Sequence, residues 1–145
     1  MGSYRPLDLQ FNGYRSWEAY DLLNALGPAG RAAHQDTWWL DLVFPLCYAP
    51  FTAMLLARLW NARFAPGMML CLLPFGGALL DYLENICIGV ALFTYPARHD
   101  ALMDFSGLVT ALKWWGFAFP SLALVGIGGG WSLGAFLERR RRGAG

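Results

Sequence analysis

Charged residues are scarce in this sequence. Lys, Arg, Asp and Glu make up 14% of its 145 residues, where an ordinary soluble domain carries about a quarter. Such a shortage is incompatible with a globule bounded by water, and a content of 57% hydrophobic and 16% aromatic residues takes its place. An excess of positive charge is also missing. The formal net charge is +1 and the basic residues sit at the ends of apolar runs, which argues against nucleic acid as a partner. Cysteine is sparse too: Cys47, Cys71 and Cys87 each fall in an apolar run without CxxC spacing. They read as buried thiols that pack like small hydrophobes. His34 and His99 lie near Asp36 and Asp100 but form no metal-ligand pattern, so no metal site is expected. No Ser–His–Asp set, no phosphate-cradling glycine loop and no facing pair of haem histidines is found, so no cofactor is expected. The first fifteen residues contain Arg5, Asp8, Asn12 and Arg15 and lack an apolar h-region. Insertion is therefore expected to rest on internal helices rather than on a cleavable signal peptide.

What the chain does have is three apolar runs, each long enough to cross a hydrocarbon core of about 30 Å. Ahead of them, residues 1–14 are polar, carry Pro6 and Asn12-Gly13, and read as an irregular arm. Ser16 is placed to cap a short amphipathic helix that Gly27-Pro28 ends. With Trp17 and Tyr20 on it, that helix suits the membrane interface. The first span is expected from Thr37 to Leu59, with Asp41, Pro45, Tyr48 and Thr52 at helical spacing on one face. Arg58, Asn61 and Arg63 end it, and Pro66-Gly67 opens the next. The second, from Met68 to Phe93, turns Pro74, Gly77, Asp81, Asn85 and Ile88 to one side, with Glu84 at the edge of that face. Pro74 should loosen its first turns and Gly76-Gly77 should admit another backbone. The third runs from Phe105 to about Trp131, with Ser106, Thr110, Lys113, Phe117 and Pro120 on one face. Gly126, Gly130 and Gly134 form a small-residue row suited to helix packing or self-association, with a hinge in Gly128-Gly129-Gly130 as the alternative.

The predicted fold is thus an all-α integral membrane bundle of three spanning helices plus an N-terminal interfacial helix. In domain terms, residues 1–36 form the arm and interfacial helix, 37–138 the bundle and 139–145 a basic tail. Arg139 to Arg142, with Arg58 and Arg63, place the C-terminus on the cytoplasmic side, and a bacterial inner membrane is the expected location.

Ionisable side chains inside spans are costly and usually face the bundle interior. Counting 1.5 Å per residue puts Asp41, Tyr48, Glu84, Asn85 and Lys113 about 6 to 16 Å below the outer boundary, with Asp81 nearer the middle. Lys113 at that depth needs a carboxylate partner, and Glu84 or Asp41 is within reach. A surplus carboxyl would hold a proton, which is the equipment of acid–base chemistry. Glu84 and Asp81 are the candidate catalytic residues, and Asp41, Tyr48, Asn85, Lys113 and Arg31 the candidate ligand-binding ones, with Arg31 and His34 over the opening. The plainer alternative is that these groups only hold three helices together, at about 1 kcal/mol per hydrogen bond.

The segments Leu26-Gly27-Pro28-Ala29-Gly30-Arg31, Leu40 to Tyr48, and Asp81-Tyr82-Leu83-Glu84-Asn85 together resemble a loose group of small polytopic membrane proteins to which no reaction is assigned. The resemblance covers about Gly13 to Trp115. It implies a further spanning helix before the glycine–arginine loop, where this chain is polar, and so a bundle completed by a partner.

Two functions fit these observations. One is a protein that binds or transforms a lipid-like molecule at the shared polar level, enzyme and binder both remaining open. The other is an accessory subunit of a larger membrane complex, whose partners would be a second copy or another membrane subunit. A full-thickness ion path ranks last, because the cytoplasmic half offers little beyond Thr52.

Overall fold

The computed structural model describes residues 6–60 and 65–143. Arg5, Asn61 and Arg63, used above, lie outside the described residues. Every regular element among the described residues is helical. A 3₁₀ turn at Leu7–Leu9 precedes α1 (Ser16–Ala25), α2 (Gly27–Leu59), α3 (Ala65–Leu70), α4 (Leu73–Thr94) and α5 (Asp100–Leu112). A π-helical segment, Lys113–Ala118, then joins α5 to α6 (Phe119–Gly143). Three runs are long and apolar enough to cross a membrane: Gly27–Leu59, Gly67–Thr94 and Asp100–Gly143. The molecule is an all-α helical bundle, a small membrane protein built on three apolar helices.

Several helix ends differ from the sequence reading. The first long helix begins at Gly27, ten positions before Thr37, because Pro28 lies in its first turn, where a missing N–H has no helical partner to lose. Gly27 takes a positive φ of 64°, which turns the chain directly from α1 into α2. Arg15, not Ser16, stands at the N-cap of α1. Its N–H donates to the Glu18 carboxylate at 2.7 Å, while the Ser16 N–H donates to Asp104 Oδ1 at 2.7 Å. The second run breaks at Cys71-Leu72 and restarts with Pro74 in the first turn of α4. The third begins at Asp100, five residues earlier than Phe105, with an acid in the first turn where the helix dipole favours it.

The three long runs alternate in direction. Tyr82 and Trp38 tie α4 antiparallel to α2, their side chains donating to the Leu42 and Asn85 carbonyls at 2.9 and 3.0 Å. Pro45, Ala49, Ala53 and Leu56 form the buried stripe of α2, whereas Phe44, Leu46, Phe51 and Met54 are exposed. That division suits a helix with one face on neighbours and one on lipid. At the far end of α2, Trp60 Nε1 donates to the Leu124 carbonyl at 3.0 Å and Gly128 lies against Leu59 and Trp60. The α6 helix runs unbroken through Gly128-Gly129-Gly130. Gly126, Gly130 and Gly134 meet no described residue within 4 Å of a Cβ position.

At the opposite end, α1 buries Ala19, Tyr20 and Leu23 in a cluster with Ile88, Ala91, Leu92 and Met103. This packing fixes the ends of α4 and α5. The last run has 44 residues, about 66 Å at 1.5 Å per residue, far more than a bilayer core requires. Its residues 131–143 are all exposed, although Trp131 still stacks on Trp60 at the end of α2 with ring centroids 5.3 Å apart.

Candidate functional site

The site begins with a distortion. Pro120 has no N–H, so the helical ladder ahead of it is short of one donor, and the widened turn from Lys113 to Ala118 absorbs the defect. Lys113 is the first residue of that turn and points at α4. Its Nζ donates to Asp81 Oδ1 at 2.8 Å and to Glu84 Oε2. Thr110 Oγ1, one turn earlier, donates to Glu84 Oε1 at 2.7 Å. Glu84, Thr110 and Ser106 are each 0% exposed. A buried charge needs pairing and further hydrogen bonds to be tolerable, and Glu84 has both. Asp81 shares the same ammonium but keeps 14% of its side chain exposed, and its Oδ2 accepts the Tyr48 hydroxyl at 3.3 Å.

On the side of Asp81 lies a cavity of about 480 Å³. The first run contributes Asp41, Phe44, Tyr48 and Thr52, the second Pro74, Gly77, Asp81 and Asn85. The third contributes Lys113, Trp114, Phe117 and Ser121 among others, and Asp8 and Leu9 of the arm complete the wall. Tyr48, Asp81 and Lys113 meet at one level, Asp41, Thr52 and Ser121 lie further along their helices, and most of the remaining lining is aromatic or aliphatic. Ser121 is 5% exposed, and its hydroxyl oxygen has no hydrogen-bond partner among the described residues.

Five of the seven candidates therefore border this cavity: Asp41, Tyr48, Asp81, Asn85 and Lys113. Glu84 stands behind Lys113 and does not line it. Arg31 is elsewhere: its guanidinium donates to the Leu23 carbonyl at 2.7 Å and stacks over the Tyr95 ring at 4.0 Å. It is held by α1 and the end of α4 and does not cover the opening. Of the two expected partners of Lys113, Glu84 pairs with it and Asp41 does not, Asp81 taking that second place. Asp41 has an exposed side chain at the cavity rim, and its backbone carbonyl accepts from Asn85 Nδ2 at 3.0 Å. Gly76 admits the Phe117 ring and Gly77 its Cβ, rather than a second backbone.

Sequence reasoning missed the arm. Trp114 Nε1 donates to the Asp8 carbonyl at 2.7 Å, and Phe11 packs edge-on against Trp114 with centroids 4.6 Å apart. Tyr14 donates its hydroxyl to Ser106 Oγ at 2.7 Å in a buried contact, and burial pushes its pKa above the ordinary tyrosine value. Gly13, at φ 78°, lies against the backbone of Gly107, where a side chain on either glycine would collide with main-chain atoms. The signal was present only as two short pairs, Gly13-Tyr14 and Ser106-Gly107, far apart in sequence.

Among the described residues no group of three or more His, Cys, Asp or Glu side chains is placed to hold a metal ion. Comparison with protein families, curated proteins and solved structures finds no match to the chain.

Proposed function

We propose that this small membrane protein holds the polar end of a lipid-like molecule in the cavity between its three long helices. The observation that carries the reading is the two-part lining of that cavity. Tyr48, Asp81, Asn85 and Lys113 stand at one level, and Phe44, Pro74, Phe117 and Leu122 line the remainder. Pockets for small molecules have this composition, a mostly apolar wall with a few placed polar groups. Asp81, at the wall and accepting from Lys113 and Tyr48, is the carboxylate placed to accept a hydrogen bond or a proton from a bound head group. Glu84, sealed by Thr110 and Lys113, holds the ammonium in position. The orientation that fits the charge distribution puts Arg139 to Arg142 in the cytoplasm, which leaves the cavity in the outer half of the bilayer.

A second reading, an accessory subunit, draws its support from residues 131–143, which are all exposed, Trp131 alone among the described residues of this stretch stacking on another helix end, against Trp60. One experiment addresses both. The protein is extracted in a gentle detergent and weighed by native mass spectrometry, alongside Ala118→Trp, which fills the cavity from its third wall. The ligand reading predicts a retained small-molecule mass that the Trp variant loses while it stays folded. No retained mass, or equal retention in the variant, contradicts it. A second polypeptide held in stoichiometric amount supports the accessory reading.

A further inference from the structure

Resting on that reading, we infer that the cavity selects amphiphiles with a cationic head, an ammonium or quaternary ammonium group. Among the described residues three acidic residues line it, Asp8, Asp41 and Asp81, against one basic residue, Lys113. That single ammonium is already engaged by Asp81 and Glu84, so it offers little to an anionic ligand. Asp41 forms no ion pair among the described residues. Within a wall of low polarity, acids in surplus over bases focus a negative potential on the cavity and concentrate cations there.

The aromatic lining adds a second source of selectivity. Tyr48, Phe44, Trp114 and Phe117 surround the polar level, and ring faces attract cations most strongly where water is excluded. Trp114 already receives one such contact, the Lys113 ammonium 5.9 Å from its centroid.

Three photoreactive probes test this in membranes holding the full chain. Each carries the same alkyl chain with a diazirine near its head, and the heads are trimethylammonium, hydroxyl and carboxylate. After irradiation, labelled peptides covering 41–52, 74–85 and 113–122 are quantified. The ammonium probe is expected to label them at least about tenfold more than either other probe, as a favourable charge and cation–π environment implies. Labelling by the hydroxyl or carboxylate probe at an equal or higher level overturns the charge preference and leaves the cavity reading standing. Absence of cavity labelling by all three overturns the cavity reading itself. The exposed rim substitution Asp41→Asn does not threaten folding. It is expected to lower ammonium labelling about threefold without changing the hydroxyl probe, and an equal drop for both probes contradicts selection by charge.

Discussion

Two gaps in this bundle are bordered by the same helix, α4, and only one of them is filled. Between α4 and α5, Glu84, Thr110, Ser106 and Tyr14 close a seam in which each polar side chain has a partner. Between α2, α4 and the π-helical turn, Asp81 and Tyr48 border an open cavity. Lys113 belongs to both, bonded to Glu84 on one side and Asp81 on the other. Two acids three residues apart on one helix therefore serve different ends. Sealed polar groups hold helices together, and a polar group at a cavity wall remains available to something else.

Substitutions in the shared trio separate the two roles. The largest effect is expected from Lys113→Met, which leaves two carboxylates without their cation. Loss of about 3 to 5 kcal/mol is the usual cost of breaking a buried ion pair, and unfolding in mixed micelles titrated with SDS measures it. Glu84→Gln comes next, at about 2 kcal/mol, since a charged hydrogen-bond acceptor is lost from a site closed to water. Asp81→Asn should cost least, below about 1 kcal/mol, because groups in the cavity can replace part of what the carboxylate provided. Equal losses at 81 and 84 would erase the distinction, and a larger loss at 81 would reverse it.

Much of this arrangement was legible in the sequence. Helical spacing put Ser106, Thr110 and Lys113 on one face, and the same arithmetic turned Tyr48 toward the level of Asp81. Three apolar runs separated by short polar loops gave the spans. That Lys113 would meet Glu84 was legible, but its second carboxylate, Asp81 in place of Asp41, was not. Depth counting treats helices as straight rods of known origin, but the first helix starts at Gly27 and the third widens into a π turn before Pro120. Both features alter which residues face each other, and Asp41 ends at the rim. The docking of the arm left no trace in periodicity, because it rests on non-local pairs such as Tyr14 with Ser106 and Gly13 with Gly107. Arg31 was read from its distance along the chain to the first span, whereas its long side chain folds back onto Leu23 and Tyr95.

The contrast between an open and a closed gap is most directly measured by thiol reactivity in native membranes. With Cys47, Cys71 and Cys87 replaced by Ala, single cysteines are introduced as Tyr48→Cys on the cavity wall and Ser106→Cys in the seam, and each is treated with N-ethylmaleimide. The account predicts that position 48 reacts at least about tenfold faster, position 106 requiring local opening of the packed helices before reagent reaches it. Equal rates, or faster reaction at position 106, would contradict it.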